Sequence, residues 1–131
     1  MCGIVGLLVK KPALREQLGR LMVPMLIGMT ERGPDSAGLA VFTPKLNGER
    51  RKISVYSGFT PAGDAYDWNG LVTALNGALR ADAIVETKGN HAIVAFGIAP
   101  AAVKEWIGAY DPALHVFSTG QRIDLYKDTG T

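Results

Sequence analysis

The chain is poor in cysteine, in long apolar runs and in excess charge, and each shortage excludes a class of protein. Its one cysteine, Cys2, cannot close an internal disulfide or build a multi-cysteine metal site, which excludes a disulfide-stapled secreted scaffold. The most apolar stretch, residues 21–29, is short and contains Pro24, whereas crossing a bilayer takes about 20 apolar residues. Residues 1–9 are apolar, but no basic segment precedes them and no small-residue cleavage site follows, so no export signal is read. A cytoplasmic location with a reduced thiol is the expectation. Fourteen Lys and Arg against 12 Asp and Glu leave a net charge of +2, too little to call for nucleic acid or a membrane surface as partner. Neither a P-loop nor a Gly-x-Gly-x-x-Gly spacing occurs.

What is present is enough for a core. The 131 residues are 47% hydrophobic, which fits one folded domain. Sixteen glycines and seven prolines call for many turns and strands. Residues 3–9 (Gly-Ile-Val-Gly-Leu-Leu-Val) predict a strand buried on both faces. Leu14, Leu18, Leu21, Met22, Met25, Leu26 and Met29 fall at helical spacing, so residues 13–29 predict one amphipathic helix bent near Pro24, its stripe packed in a core. Residues 30–36 read as a polar loop and 37–43 as a second strand. Asn47-Gly48 then signals a hairpin with a returning strand over 52–58. Arg50, Arg51 and Lys52 read as its solvated tip rather than a phosphate patch, because no aromatic residues interleave them.

Beyond a Gly/Pro/Asp loop at 60–67, residues 68–80 predict a helix with Leu71, Leu75 and Leu79 on one face. Strands over 84–87 and 92–98 join through a turn at 88–90, a short helix follows Pro100, and strands over 116–119 and 123–126 pair across Gly120-Gln121. The order of elements indicates α+β or layered α/β. His91 and His115 read as structural, Trp68 and Trp106 as helix anchors. Asp64, Asp67 and Asp111 lack metal-ligand spacing, so neither a metal nor a cofactor is expected.

Two features carry chemistry. Removal of Met1 would leave Cys2 with a free α-amino group, whose pKa of about 7.7–8.0 keeps a useful fraction unprotonated at neutral pH. One residue would then hold both a thiol nucleophile and its base. A retained Met1 would bury that amine in a peptide bond. Gly3 leaves room for a carbonyl to approach the sulfur. Some thirty residues later comes Arg32-Gly33-Pro34-Asp35-Ser36-Ala37-Gly38, a turn-rich segment whose arginine can fix the loop through Asp35 or meet a carboxylate substrate.

Met1-Cys2-Gly3-Ile4-Val5-Gly6 followed by this second motif resembles the opening of class II glutamine amidotransferases, which are N-terminal-nucleophile hydrolases. The finer likeness is to the amidotransferase subunit of glutamate-synthase-like systems, including N-methylglutamate synthase. The resemblance implies a four-layer αββα sandwich. It implies that Cys2 attacks the side-chain amide of glutamine, forms a γ-glutamyl thioester and releases ammonia to a synthase partner in a hetero-oligomer. Arg32, Gly33 and Asp35 match the element that shapes the floor of the nucleophile's pocket. The family's later His-Thr-Arg segment, oxyanion-hole Asn-Gly pair and amine-binding Asp find no counterpart here. Asn76-Gly77 falls in a predicted helix, Asn47-Gly48 in a turn, and Asn90-His91 lacks the glycine. The expectation is therefore the front part of a type-2 amidotransferase domain over residues 1–131. The competing expectation is a non-catalytic assembly or regulatory subunit built on that front half.

Overall fold

The computed structural model describes residues 2–33, 35–58 and 65–129. By packing the chain divides into two units, residues 1–37 with 129–131 and residues 38–128.

In the smaller unit, residues 2–10 adopt no regular secondary structure. A 3-10 helix over Pro12–Gln17 leads into α1 (Leu18–Ile27), and a second 3-10 turn spans Thr30–Arg32. No residue of 2–33 is buried. Two expectations fail here. Residues 3–9 are not a strand buried on both faces: no partner strand bonds to them, and Ile4 and Leu8 stand 95% and 80% exposed. The predicted helix over 13–29 is not continuous either. It begins as 3-10 behind Pro12, turns α-helical at Leu18, carries Pro24 inside, and ends at Gly28. Its apolar stripe packs in no core. A stripe becomes a core face only when a second surface meets it.

The larger unit is built on an antiparallel sheet. β1 (Ser36–Phe42) begins in the smaller unit and enters it; β2 (Arg51–Tyr56), β3 (Ile84–Lys88), β4 (His91–Phe96), β5 (His115–Gly120) and β6 (Ile123–Thr129) follow, with α2 (Trp68–Leu79) and α3 (Pro100–Tyr110) between them. Four strands form one sheet in the order β3-β4-β2-β5, and β1 and β6 pair separately. Ile53 and Val55 of β2 and Ala92, Val94 and Phe96 of β4 point to one face, as the two-residue period of a strand requires. There they meet Trp68, Leu71, Val72 and Leu75 of α2 and Val103 and Ile107 of α3. Full burial of side chains of this size is worth about 1.5–3 kcal/mol each.

Local chemistry fixes where the helices stop and start. The Asp67 side chain caps α2 by accepting from the Gly70 amide at 2.9 Å. Arg80, in the left-handed region at φ 48°, ends it. Asn76 then ties the helix to the next strand, donating to the Ala83 carbonyl at 3.0 Å and accepting its amide at 2.7 Å. Trp68 anchors α2 as expected, with Nε1 donating to the Gly89 carbonyl at 2.9 Å. Trp106 stacks on Tyr110 along α3.

β6 covers the opposite face of the four-stranded sheet. The Leu125 amide donates to Ser54 Oγ at 2.8 Å, and the Lys127 amide donates to His91 Nε2 at 3.0 Å. Asn90 spends its amide on Asp128, so its Oδ1 accepts from His91 Nδ1 at 2.8 Å. His91 is thus structural. His115, by contrast, is exposed at the start of β5. Lys52 and Asp124 form a buried ion pair at 2.5 Å, with Lys52 also donating to Thr43 Oγ1 at 2.6 Å. Removing either partner of such a pair strands a buried charge. Residues 38–128 therefore stack helices, a four-stranded sheet and the β1–β6 ladder in three layers.

Both predicted hairpins flanking this unit are corrected. Asn47-Gly48 does turn, with Gly48 at φ 59° and the Arg50 amide on the Asn47 carbonyl. Yet β1 and β2 lie in different sheets, and so do β5 and β6. The two connections run beside each other instead: the Leu46 and Thr43 amides bond the Gln121 and Arg122 carbonyls, and Gln121 Nε2 donates to the Gly48 and Arg50 carbonyls. The basic run at 50–52 is not a solvated tip. Arg50 holds Asp82 at 2.7 Å, and Lys52 is buried on Asp124. The β3–β4 hairpin forms as expected, through Gly89 at φ 62°. The predicted loop over 60–67 lies mostly outside the described residues, Asp64 included.

Candidate functional site

The smaller unit contains every residue singled out for chemistry. Cys2 is a free, exposed thiol. Next to it, the Gly3 backbone passes so close to the end of α1 that a Cβ built there would collide with the terminal methyl of Met29. The same Cβ would lie 3.1 Å from Cβ of Arg32. A larger residue at position 3 would therefore have to displace the Met29 methyl and press on the Arg32 stem. The structure brings the nucleophile's neighbour against the arginine of the second motif, two segments about thirty residues apart in the chain. Met29, read from the sequence as one more core methionine, is instead part of this contact. Its place at the end of the stripe was the available signal.

Arg32 closes the 3-10 turn, its amide donating to the Met29 carbonyl at 2.9 Å. Thr30 Oγ1 donates to the Ile27 carbonyl at 2.9 Å, tying that turn to the end of α1. Gly33 leaves the turn at φ −164°, extended backbone open to any residue, and a Cβ on it would meet nothing within 4 Å. The backbone here does not demand glycine. Asp35 is exposed just before β1, and among the described residues no ion pair joins it to Arg32. The expected Arg32–Asp35 brace is thus not formed. Met1 and Pro34 lie outside the described residues.

The three asparagines considered as oxyanion donors are engaged elsewhere or sit in turns. Asn76 spans to Ala83, Asn90 holds Asp128 and His91, and Asn47 makes the turn before β2. Among the described residues no group of three or more His, Cys, Asp or Glu is arranged to hold a metal, and no helix is long and apolar enough to cross a membrane. The site as described can offer a thiol, a close glycine and a guanidinium stem.

Neither a protein-family model nor a solved structure matches the chain. Over 131 aligned residues, 99% of this chain, it is 39% identical to the glutamine amidotransferase-like protein GlxB of Rhizobium meliloti (strain 1021), of which the match spans 42%. The chain thus matches less than half the length of that curated relative. The similarity runs along nearly the whole chain, the segment that carries Cys2 and Arg32 included.

Proposed function

We propose that this chain carries the nucleophile segment of a class II glutamine amidotransferase. The observation that carries the reading is the packing of Gly3 on Arg32, which joins the two motifs the reading depends on. With Met1 removed, the α-amine of Cys2 takes the thiol proton as Sγ attacks the amide carbon of glutamine. The tetrahedral intermediate collapses as the amine returns that proton to the leaving nitrogen, giving ammonia and a γ-glutamyl thioester. The same amine then deprotonates water, which attacks the thioester carbonyl and releases glutamate and the free thiol. Ammonia passes to a synthase partner, such as a glutamate or N-methylglutamate synthase, in a cytoplasmic hetero-oligomer. The three layers of residues 38–128, helices on a sheet on a ladder, are compatible with three of the four layers of an αββα sandwich, which is the fold this reading carries.

A second reading is a non-catalytic assembly or regulatory subunit. It is favoured by the engagement of the Asn76 and Asn90 side chains in structural bonds. Each missing donor costs about 10²–10³ in rate. The readings separate by treating the chain with a glutamine-mimicking diazoketone and weighing it intact. The amidotransferase reading predicts a Met-free chain with one adduct, absent in Cys2→Ala. Retained Met1 together with no adduct would overturn it in favour of the second.

A further inference from the structure

We infer that the corner where β1 leaves for β2 and β5 leaves for β6 is a docking surface for an acidic protein segment with an apolar anchor. Phe42, Lys45, Arg51, Gln121, Arg122 and Ile123 line one solvent-open cleft there, with no acid among them. Several cations of residues 38–128 are neutralised within the fold: Arg50 on Asp82, Lys52 on Asp124, Lys88 on Glu86. In the cleft, Lys45 and Arg122 are exposed and form no ion pair among the described residues. Arg51 has Glu49 at 3.7 Å, at the edge of ion-pair range, and its Nη1 donates to the Glu49 and Arg50 carbonyls, which hold the guanidinium in place.

Phe42, on the same lining, is 74% exposed. An aromatic residue together with arginine is the composition of interface hot spots, and the exposed Lys45 and Arg122 of the same lining select an acidic partner. The backbone beneath is pinned by Gln121 Nε2 on the Gly48 and Arg50 carbonyls, so little ordering is required on binding. The cleft is open, whereas small-molecule sites enclose most of their ligand. A polypeptide lying across it uses both the ring and the charges. This inference goes beyond the amidotransferase reading and uses none of its residues.

The test is fluorescence anisotropy on the full 131-residue chain. The probe is a labelled glutamate-rich peptide with a central leucine; competitors are the same peptide without leucine, tripolyphosphate and oligo(dT). Binding that weakens with salt, and falls at least about tenfold in Phe42→Ala and in Arg122→Glu, is expected. Circular dichroism melting keeps loss of fold distinct, and Lys45→Glu serves as an independent second variant. No binding, unchanged affinity in Phe42→Ala, or equal competition by tripolyphosphate or oligo(dT) would overturn the inference.

Discussion

Residues 38–128 and residues 2–33 are both rich in apolar side chains, and they use them in opposite ways. In the first, Phe96, Ile53, Leu71 and Leu75 are fully buried between two helices and a sheet. In the second no described side chain is buried: Leu18, Met22, Met25 and Leu26 of the helical stripe are only half-buried, and Ile4, Leu8, Val23 and Ile27 face solvent. Apolar content and period select an element's shape; only an opposing surface turns its stripe into a core. The residues proposed for chemistry sit in the weakly packed part. Segments with few buried contacts are the ones that open at low free energy.

The comparison breaks if truncating side chains costs the same on both sides. Phe96→Ala should destabilise the chain most, by about 3–5 kcal/mol, because it empties a site closed on every side. Urea unfolding followed by fluorescence of buried Trp68 reads this directly. Tyr66→Phe probes the polar edge of the same body. The Tyr66 hydroxyl donates to Asp111 Oδ2 at 2.9 Å, and burial first, then that carboxylate, push its pKa well above the usual phenol value. A pKa raised on folding adds stability that is complete below pH 10 and is lost as the pH climbs toward the folded value. The variant should lose about 1 kcal/mol at neutral pH, with the gap to the parent closing above about pH 10 in pH-resolved melts. Leu8→Ala should change stability least, within about 0.5 kcal/mol, and amides of residues 4–9 should exchange fastest. Equal costs for Leu8→Ala and Phe96→Ala would dissolve the distinction between the two regions.

The sequence made the larger body readable where signals were local. Asp67 before an apolar period, Pro100 at a helix start and Gly89-Asn90 between strands each act within a few residues, and all three elements form. Strand partnership was not local. Which sheet β1 or β6 joins is decided by Ser54, His91 and Gln121 meeting residues more than thirty positions away. The site was half legible. Cys2 and Arg32 could be singled out by type and order, but the approach of Gly3 to Met29 depends on where the 3-10 turn ends. Neither spacing nor composition encodes that.

The shared corner has a mechanical consequence. The chain crosses from one sheet to the other twice at the same end, and Gln121 stitches the two crossings together. The layers therefore cannot slide past each other one strand at a time. Any shear of β1–β6 over the larger sheet must drag both crossings and break the glutamine's two bonds at once. The sandwich is closed at that end like a folded page, and at the opposite end of the strands His91 and Asn90 clasp β6 through Lys127 and Asp128.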